Sequence, residues 1–360
     1  MTEEQDNQVQ QEINKAINFL GQNKFLEAEN TCLKIIDSGD NADAYHILSS
    51  IKIYQQEFED SIKYVKKSIA INDDNPGYYV TLGCAYSAKK DYESSITAFK
   101  SAIKINNKIA QVHFYLGESY RKLKKYNDAI SSFYNTTELS PDHVGAYLLL
   151  GVVYQEKKQF DLAINAFQKC IEIMPDYAEA HLNLGLCYLL IGDYENGWRE
   201  YEWRRKLIKE SNDKLSKEWS GQNLENKTLL VLDEGADGNL IHFIRFIREL
   251  KKESCKVIVQ CSEEAMSLIK NQKWIDRAIT ADEYPEHDFY IPIGSLMNVL
   301  KYNPNHHEQT FPYIEVDSDK ISKDNTDQVS IGLVFETDRN SNAHDDESID
   351  QGLFLSLIHI

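Results

Sequence analysis

The sequence predicts an α-solenoid of stacked helix pairs followed by an α/β domain built on a parallel sheet. Three observations carry this. Small and aromatic residues recur with a fixed period through the first 206 residues. From residue 227 the rhythm changes to short β-rich runs that alternate with helical patterns. A chain of 360 residues also has room for two to three domains, each able to bury a core.

The period is read from four series. Small residues stand at Ala28, Ser61, Ser95, Ala129, Ala163 and Gly197, stepping by 33 residues once and by 34 thereafter. A second small series lies 12 residues upstream, at Ala16, Ser49, Gly83, Gly117, Gly151 and Gly185. Aromatics recur at Tyr86, Tyr120, Tyr154 and Tyr188, with Phe19 in register, and again at Phe99, Phe133, Phe167 and Tyr201. Pro141 and Pro175 close two of the repeats. Small residues let the two helices of a pair approach closely, the aromatics are expected to fill the space between neighbouring pairs, and proline ends the second helix. Six helix pairs are expected, the first acting as a cap.

The pattern resembles the tetratricopeptide repeat over about residues 9–204. AEAHLNLGLCYLLIGDYENGWREYEWR (178–204) and AQVHFYLGESYRKLKKYNDAISSFYNTTELSP (110–141) carry it best. Two early copies depart from it: Lys52 replaces an aromatic and Val65 replaces Phe. The resemblance implies a right-handed superhelix whose first helices line a groove for a peptide or protein. Mapped onto it, the groove would show Gln111, Phe114, Glu118, Arg121 and Lys122, then Leu148, Val152, Gln155 and Glu156, then Leu182, Leu186, Leu189 and Leu190. A leucine stripe left wet costs about 25 cal/mol per Å², so something is expected to cover it, the following domain before a peptide ligand. Transferases that modify protein with N-acetylglucosamine carry an asparagine ladder along this groove, and only Asn183 fits one here.

Acids outnumber bases 57 to 39, giving a net charge of −18. That argues against nucleic acid or an anionic membrane as partner. The opening MTEEQDNQVQQE is polar and acidic, so no signal peptide is expected, and no apolar run approaches the roughly 18 residues of a membrane span. The six cysteines form no C-x-x-C pair, which points to reduced thiols and a cytoplasmic location.

Residues 207–226 read as a polar linker punctuated by Trp219 and Gly221. Beyond it, strands are expected at 228–232, 256–260, 277–280 and 289–293, and helices at 240–252, 262–270 and 294–301. Such alternation gives a parallel sheet with helices on both faces, and the ligand crevice of such sheets lies at the C-terminal strand ends. LDEGADGNLIHFIRF (232–246) follows the first strand and so stands at that mouth.

The order of parts resembles bacterial proteins that join tetratricopeptide repeats to a heptosyltransferase-like, two-lobed glycosyltransferase domain of the GT-B type. GWREYEWR (197–204), WSGQNLENK (219–227), EGADGNLIHFIRF (234–246) and VSIGLVF (329–335) carry it in sequence. The resemblance implies an acceptor lobe at 227–328, the N-terminal lobe of that fold, and the start of a second, nucleotide-sugar lobe at 329–354. LSLIHI (355–360) matches the translation of a transposon end used in library preparation and is expected to be a non-native tail.

The loop's chemistry narrows further. Gly235 and Gly238 make G-x-x-G without a following G-K-[S/T], which excludes a P-loop. Glycosyl transfer needs a base within reach of the acceptor proton. The family's loop implies an aspartate after the last glycine; here Asn239 stands there, and an amide cannot take up a proton. Asp237 lies two residues before it. Glu234 matches the family's acid, whose implied role is to shape the loop, while His242 and Arg245 lie three apart on the following helix. Glu234, Gly235, Gly238, His242 and Arg245 are therefore the candidate acceptor contacts, for a sugar or glycan.

AHDDESID (343–350) reads as a solvated acidic loop, and His306 and His307 as loop residues. No metal and no cofactor is expected. The function expected is a protein-interaction scaffold joined to a glycosyltransferase-like lobe, inactive in this chain. The alternative is a fragment of an active bacterial enzyme that transfers a sugar from a nucleotide-sugar to a protein or glycan.

Overall fold

A computed structural model describes residues 3–207, 215, 217–235, 237–250 and 254–304. The expected strand at 329–335, the acidic stretch 343–350, the tail 355–360 and the pair His306 and His307 lie outside these residues. The chain divides into two compact units, Met1–Ala180 and His181–Ile360.

The first unit is a run of antiparallel helix pairs. These are α1 (Glu3–Gly21) with α2 (Phe25–Ser38), α3 (Ala42–Tyr54) with α4 (Phe58–Ile71), α5 (Pro76–Ala88) with α6 (Tyr92–Ile105), α7 (Ala110–Lys122) with α8 (Tyr126–Leu139), and α9 (Val144–Glu156) with α10 (Phe160–Ile173). Asn41, Asn75 and Asp91 cap the helices that follow them by accepting from backbone N–H groups. Every turn inside a pair carries a left-handed residue, and at Gln56, Lys90, Lys124 and Lys158 it is not glycine.

The two aromatic series do different work. The rings of Phe99, Phe133 and Phe167 lie over Gly83, Gly117 and Gly151 of the same pair, so tightly that a Cβ on any of these glycines would fall 2.4–2.6 Å from a ring carbon. The phenylalanines therefore fill the seam within a pair, and Phe99 also reaches the next pair, stacking on Tyr115 at 5.7 Å. The tyrosines do reach the preceding pair. Lys66 sits 5.8 Å over Tyr86, Lys100 sits 5.6 Å over Tyr120, and the Tyr134 and Tyr154 hydroxyls are 3.0 Å apart.

The two departures also resolve. Where Ser49 holds the glycine position, the smaller Val65 replaces Phe, and the space admits a hydrogen bond between the Ser49 and Ser61 hydroxyls at 2.8 Å. Lys52 replaces the aromatic by bridging Glu29 of the preceding pair and Glu57, each at 2.9 Å.

The division between units falls within α11 (Ala178–Ile191). The second unit continues through α12 (Tyr194–Tyr201) and a 3-10 turn, Glu202–Lys206. Its sheet comprises β1 (Lys217–Glu218), β2 (Thr228–Leu232), β3 (Lys256–Gln260), β4 (Arg277–Ile279) and β5 (Phe289–Pro292), parallel throughout in the order β1-β5-β2-β3-β4. The edge strand β1 is the one the polar reading of 207–226 missed; the Trp219 N–H donates to the Tyr290 carbonyl at 2.8 Å. Helices α13 (Asp237–Phe243), α14 (Ile247–Leu250), α15 (Glu263–Ile269) and α16 (Leu296–Val299) complete the unit.

One apolar core joins the last helix pair to the sheet. Leu186 (4 % exposed), Leu189 (3 %), Trp198 and Tyr201 belong to the same buried cluster as Leu229, Val231, Leu240, Phe243 and Ile291. Leu182 packs against its margin. The leucine stripe of α11 is thus a domain core, which is why this helix pair falls in the second unit.

Candidate functional site

In the first unit the groove residues sort by exposure. Leu148 and Gln155 are buried among the helices and Leu186 and Leu189 under the sheet unit. Leu148 and Gln155 therefore do not line an open groove, whereas Leu186 and Leu189 lie in the core of the unit that follows the repeats, the cover expected for the leucine stripe. Phe114 is half-buried, its ring 5.9 Å from Phe133 and 4.7 Å from His143. Gln111 is exposed and Val152 half-buried, and beside them a polar strip runs along α7 and α9. Arg121 reaches Glu156 at 3.6 Å, and Glu118 and Lys122 are half-buried beside it. Burial pushes both the Glu118 and Glu156 carboxyls above the usual carboxylate range, though Arg121 and Lys122 draw them back.

Next to this strip lies a cavity of about 280 Å³ lined by Cys84, Ser87, Ala88, Phe99, Tyr115 and Glu118. The Phe99 and Tyr115 rings stack at 5.7 Å. Burial, with help from Glu118, raises the Cys84 thiol to about 11, so it stays protonated at neutral pH. Tyr115 and Cys84 were not among the groove residues read from the sequence.

In the second unit the sheet runs outward from β2 through β3 to β4, and β5 then returns to the other side of β2, so the strand order reverses between β2 and β5. That is a topological switch point, where doubly wound sheets take ligands. The loop after β2 and the turn after β5 meet there around Arg204. The Arg204 Nε donates to Glu234 Oε1 at 3.0 Å and Nη2 to Glu234 Oε2 at 3.0 Å. Nη2 also donates to Ser295 Oγ, and Nη1 to Glu202 Oε1 and the Tyr201 carbonyl. The Gly294 N–H donates to Glu234 Oε2 at 2.7 Å, and Ser295 donates to Glu202. Burial disfavours the Arg204 charge, but Glu234 and Glu202 outweigh it and hold its pKa above the ordinary value. Gly294 has no room for a side chain, since a Cβ would lie 2.5 Å from Glu234 Oε2 and 2.7 Å from Arg204 Nη2.

The other loop residues fall nearby. Gly235 adopts φ +82, a left-handed conformation that favours glycine. Asp237, Gly238 and Asn239 form the first turn of α13, and their side chains lie outside the described residues. His242 and Arg245 come together: burial, then the Arg245 charge, lowers His242 to about 4, and its ring meets Phe243 edge-on at 4.9 Å. Arg245 itself lies 4.8 Å over Phe246. Among the described residues no group of three or more His, Cys, Asp or Glu could hold a metal ion, and no helix is long and apolar enough to cross a membrane.

Comparison with known proteins decides the identity of the helical part. Family models described as tetratricopeptide repeat match residues 42–75, 76–109, 108–176 and 166–198. Residues 42–198 are tetratricopeptide repeats. No curated protein matches the chain. Among solved structures, Pseudomonas aeruginosa pilF is 16 % identical, covers 57 % of this chain and 94 % of its own, and gives a TM-score of 0.52. At that identity it shares the fold of the tetratricopeptide solenoid and nothing finer. MamA from Desulfovibrio magneticus RS-1 (23 % identity, 47 % and 94 % covered, TM-score 0.43) and YrrB, described as a tetratricopeptide protein with an unusual peptide-binding site (19 %, 49 % and 91 %, 0.44), are also similar.

Proposed function

We propose that the chain is a protein-interaction scaffold whose tetratricopeptide repeats hold an extended peptide segment across α5, α7 and α9. The observation that carries this is the polar strip of Glu118, Arg121, Lys122 and Glu156 beside an open cavity on helices otherwise packed by apolar residues. The half-buried charges Glu118, Arg121 and Lys122, with the exposed Glu156, flank an apolar recess and supply both orientation and desolvated contact, the make-up of a binding centre. The test is selection from a random dodecapeptide display library on the full chain, followed by fluorescence anisotropy with the recovered peptides. Arg121→Ala is expected to weaken them. Failure to recover any peptide above background overturns the reading.

A second reading concerns the α/β unit. A parallel sheet with its switch point at β2 and β5 supports a glycosyltransferase-like acceptor lobe, as does the sequence resemblance. In this reading Glu234 shapes the loop, its oxygens taken by Arg204 and Gly294. Gly235, His242 and Arg245 would face a sugar or glycan, and Asn239 leaves the unit without its base. Calorimetric titration with UDP-glucose and UDP-N-acetylglucosamine tests it. Turnover on an acceptor by the chain as it stands would sink the inert reading; an Asn239→Asp variant that gains turnover would support the base assignment.

A further inference from the structure

The cavity between α5 and α7 has a chemistry of its own. Its walls are two stacked aromatic rings, Phe99 and Tyr115, with Cys84 and Ala88 beside them. A single acid, Glu118, stands in its lining. At about 280 Å³ it lies just below the size of pockets that enclose drug-sized ligands, and it is open enough to admit a side chain from outside. Resting on the scaffold reading above, we infer that this cavity is an anchor site for a lysine or arginine side chain of the bound partner, with the cation on Glu118 and the aliphatic stem against Phe99 and Tyr115.

The alternatives fail on charge and desolvation. Among the described residues the Glu118 carboxylate accepts no hydrogen bond, while the neighbouring Arg121 turns to Glu156 on α9. An apolar side chain would strip water from Glu118 and offer nothing in return, a cost of the kind that keeps buried charges paired. An acidic side chain would set like charge against it. A cation instead forms a charge-assisted hydrogen bond, and a ring face within about 6 Å adds cation–π attraction. Burial raises the Glu118 carboxyl even though the Arg121 and Lys122 charges nearby act against the rise. The chain's net charge of −18 draws a basic segment toward the surface before contact.

The same dodecapeptide selection supplies the test. Recovered sequences are expected to be enriched in lysine and arginine at one position. Replacing that residue by norleucine or citrulline in the recovered peptide is expected to raise Kd at least about tenfold. Glu118→Gln should abolish the basic preference, while Glu138→Gln, at an exposed acid on α8 outside the strip and the cavity, should keep it. Far-UV circular dichroism checks that both fold. If Glu118→Gln does not, Ser87→Arg, which places a cation at the mouth, should block binding instead. Recovered peptides without basic enrichment, or unchanged affinity in Glu118→Gln, overturn the inference and leave the scaffold reading standing. Recovery of no peptide overturns the scaffold reading and the inference with it.

Discussion

A buried guanidinium such as Arg204 is tolerable only while its donors and charge are met, and here two carboxylates, a hydroxyl and a carbonyl meet them. Arg204→Met leaves Glu234, whose side chain is 7 % exposed, without its cation. Breaking such a pair costs about 3–5 kcal/mol, so the urea midpoint of the α/β unit, followed by fluorescence of Trp198 and Trp219, should fall sharply. Gly294→Ala should destabilise the same transition, because its Cβ meets Glu234 and Arg204 below contact distance. An unchanged midpoint in both would mean that the network does not hold the loop. His242 adds a pH dependence. Its folded pKa, about 4, lies below its ordinary 6.5. Between these values the unfolded chain binds a proton that the folded chain refuses, so stability falls as pH drops through this window. His242→Gln should flatten that slope. Glu118 and Glu156, raised in the folded state, act with the opposite sign, so the comparison is between variant and parent, not the absolute slope.

Helix pairs obey a volume rule that the sequence carries in plain view yet does not explain by itself. The period was legible because each repeat presents the same seam, and the strand positions followed from β-rich runs between helical patterns. Which seam the phenylalanines fill was not legible, since a period gives spacing without direction. Nor was the left-handed turn residue, because Lys90, Lys124 and Lys158 carry no glycine signal. The structure makes the rule testable at Ser49 and Val65. Val65→Phe alone should overpack the α3–α4 seam, costing about 1–3 kcal/mol, because the Ser49 side chain occupies the space that Gly83 leaves to Phe99. Ser49→Gly together with Val65→Phe should recover most of it. Ser61 can then donate to the carbonyl of residue 49, as Ser95 donates to Gly83 at 2.9 Å. Thermal melts of the two single variants and the double variant measure the coupling, expected near 1–3 kcal/mol. Additive losses would show that the seam does not select residues as pairs.

On the scale of the whole chain, the period and the folding units do not end together. Repeat sequence continues through α12, but α11 and α12 share their core with the sheet. The leucine stripe made a cover necessary, and sequence alone could name the following domain as its source. It could not name Arg204 and Glu234 as partners, since thirty residues and a turn of undetermined path separate them. A solenoid's stability is close to a sum over repeats and their neighbours, so the boundary should appear in local opening. Leu189→Ala removes a side chain 3 % exposed in the shared cluster, a change that costs about 2–5 kcal/mol. Hydrogen exchange read by mass spectrometry should then show lost protection across β2, β5 and α12, while α3 to α6 keep theirs. Lost protection confined to α9 and α10, with the sheet unchanged, would return the last helix pair to the repeats.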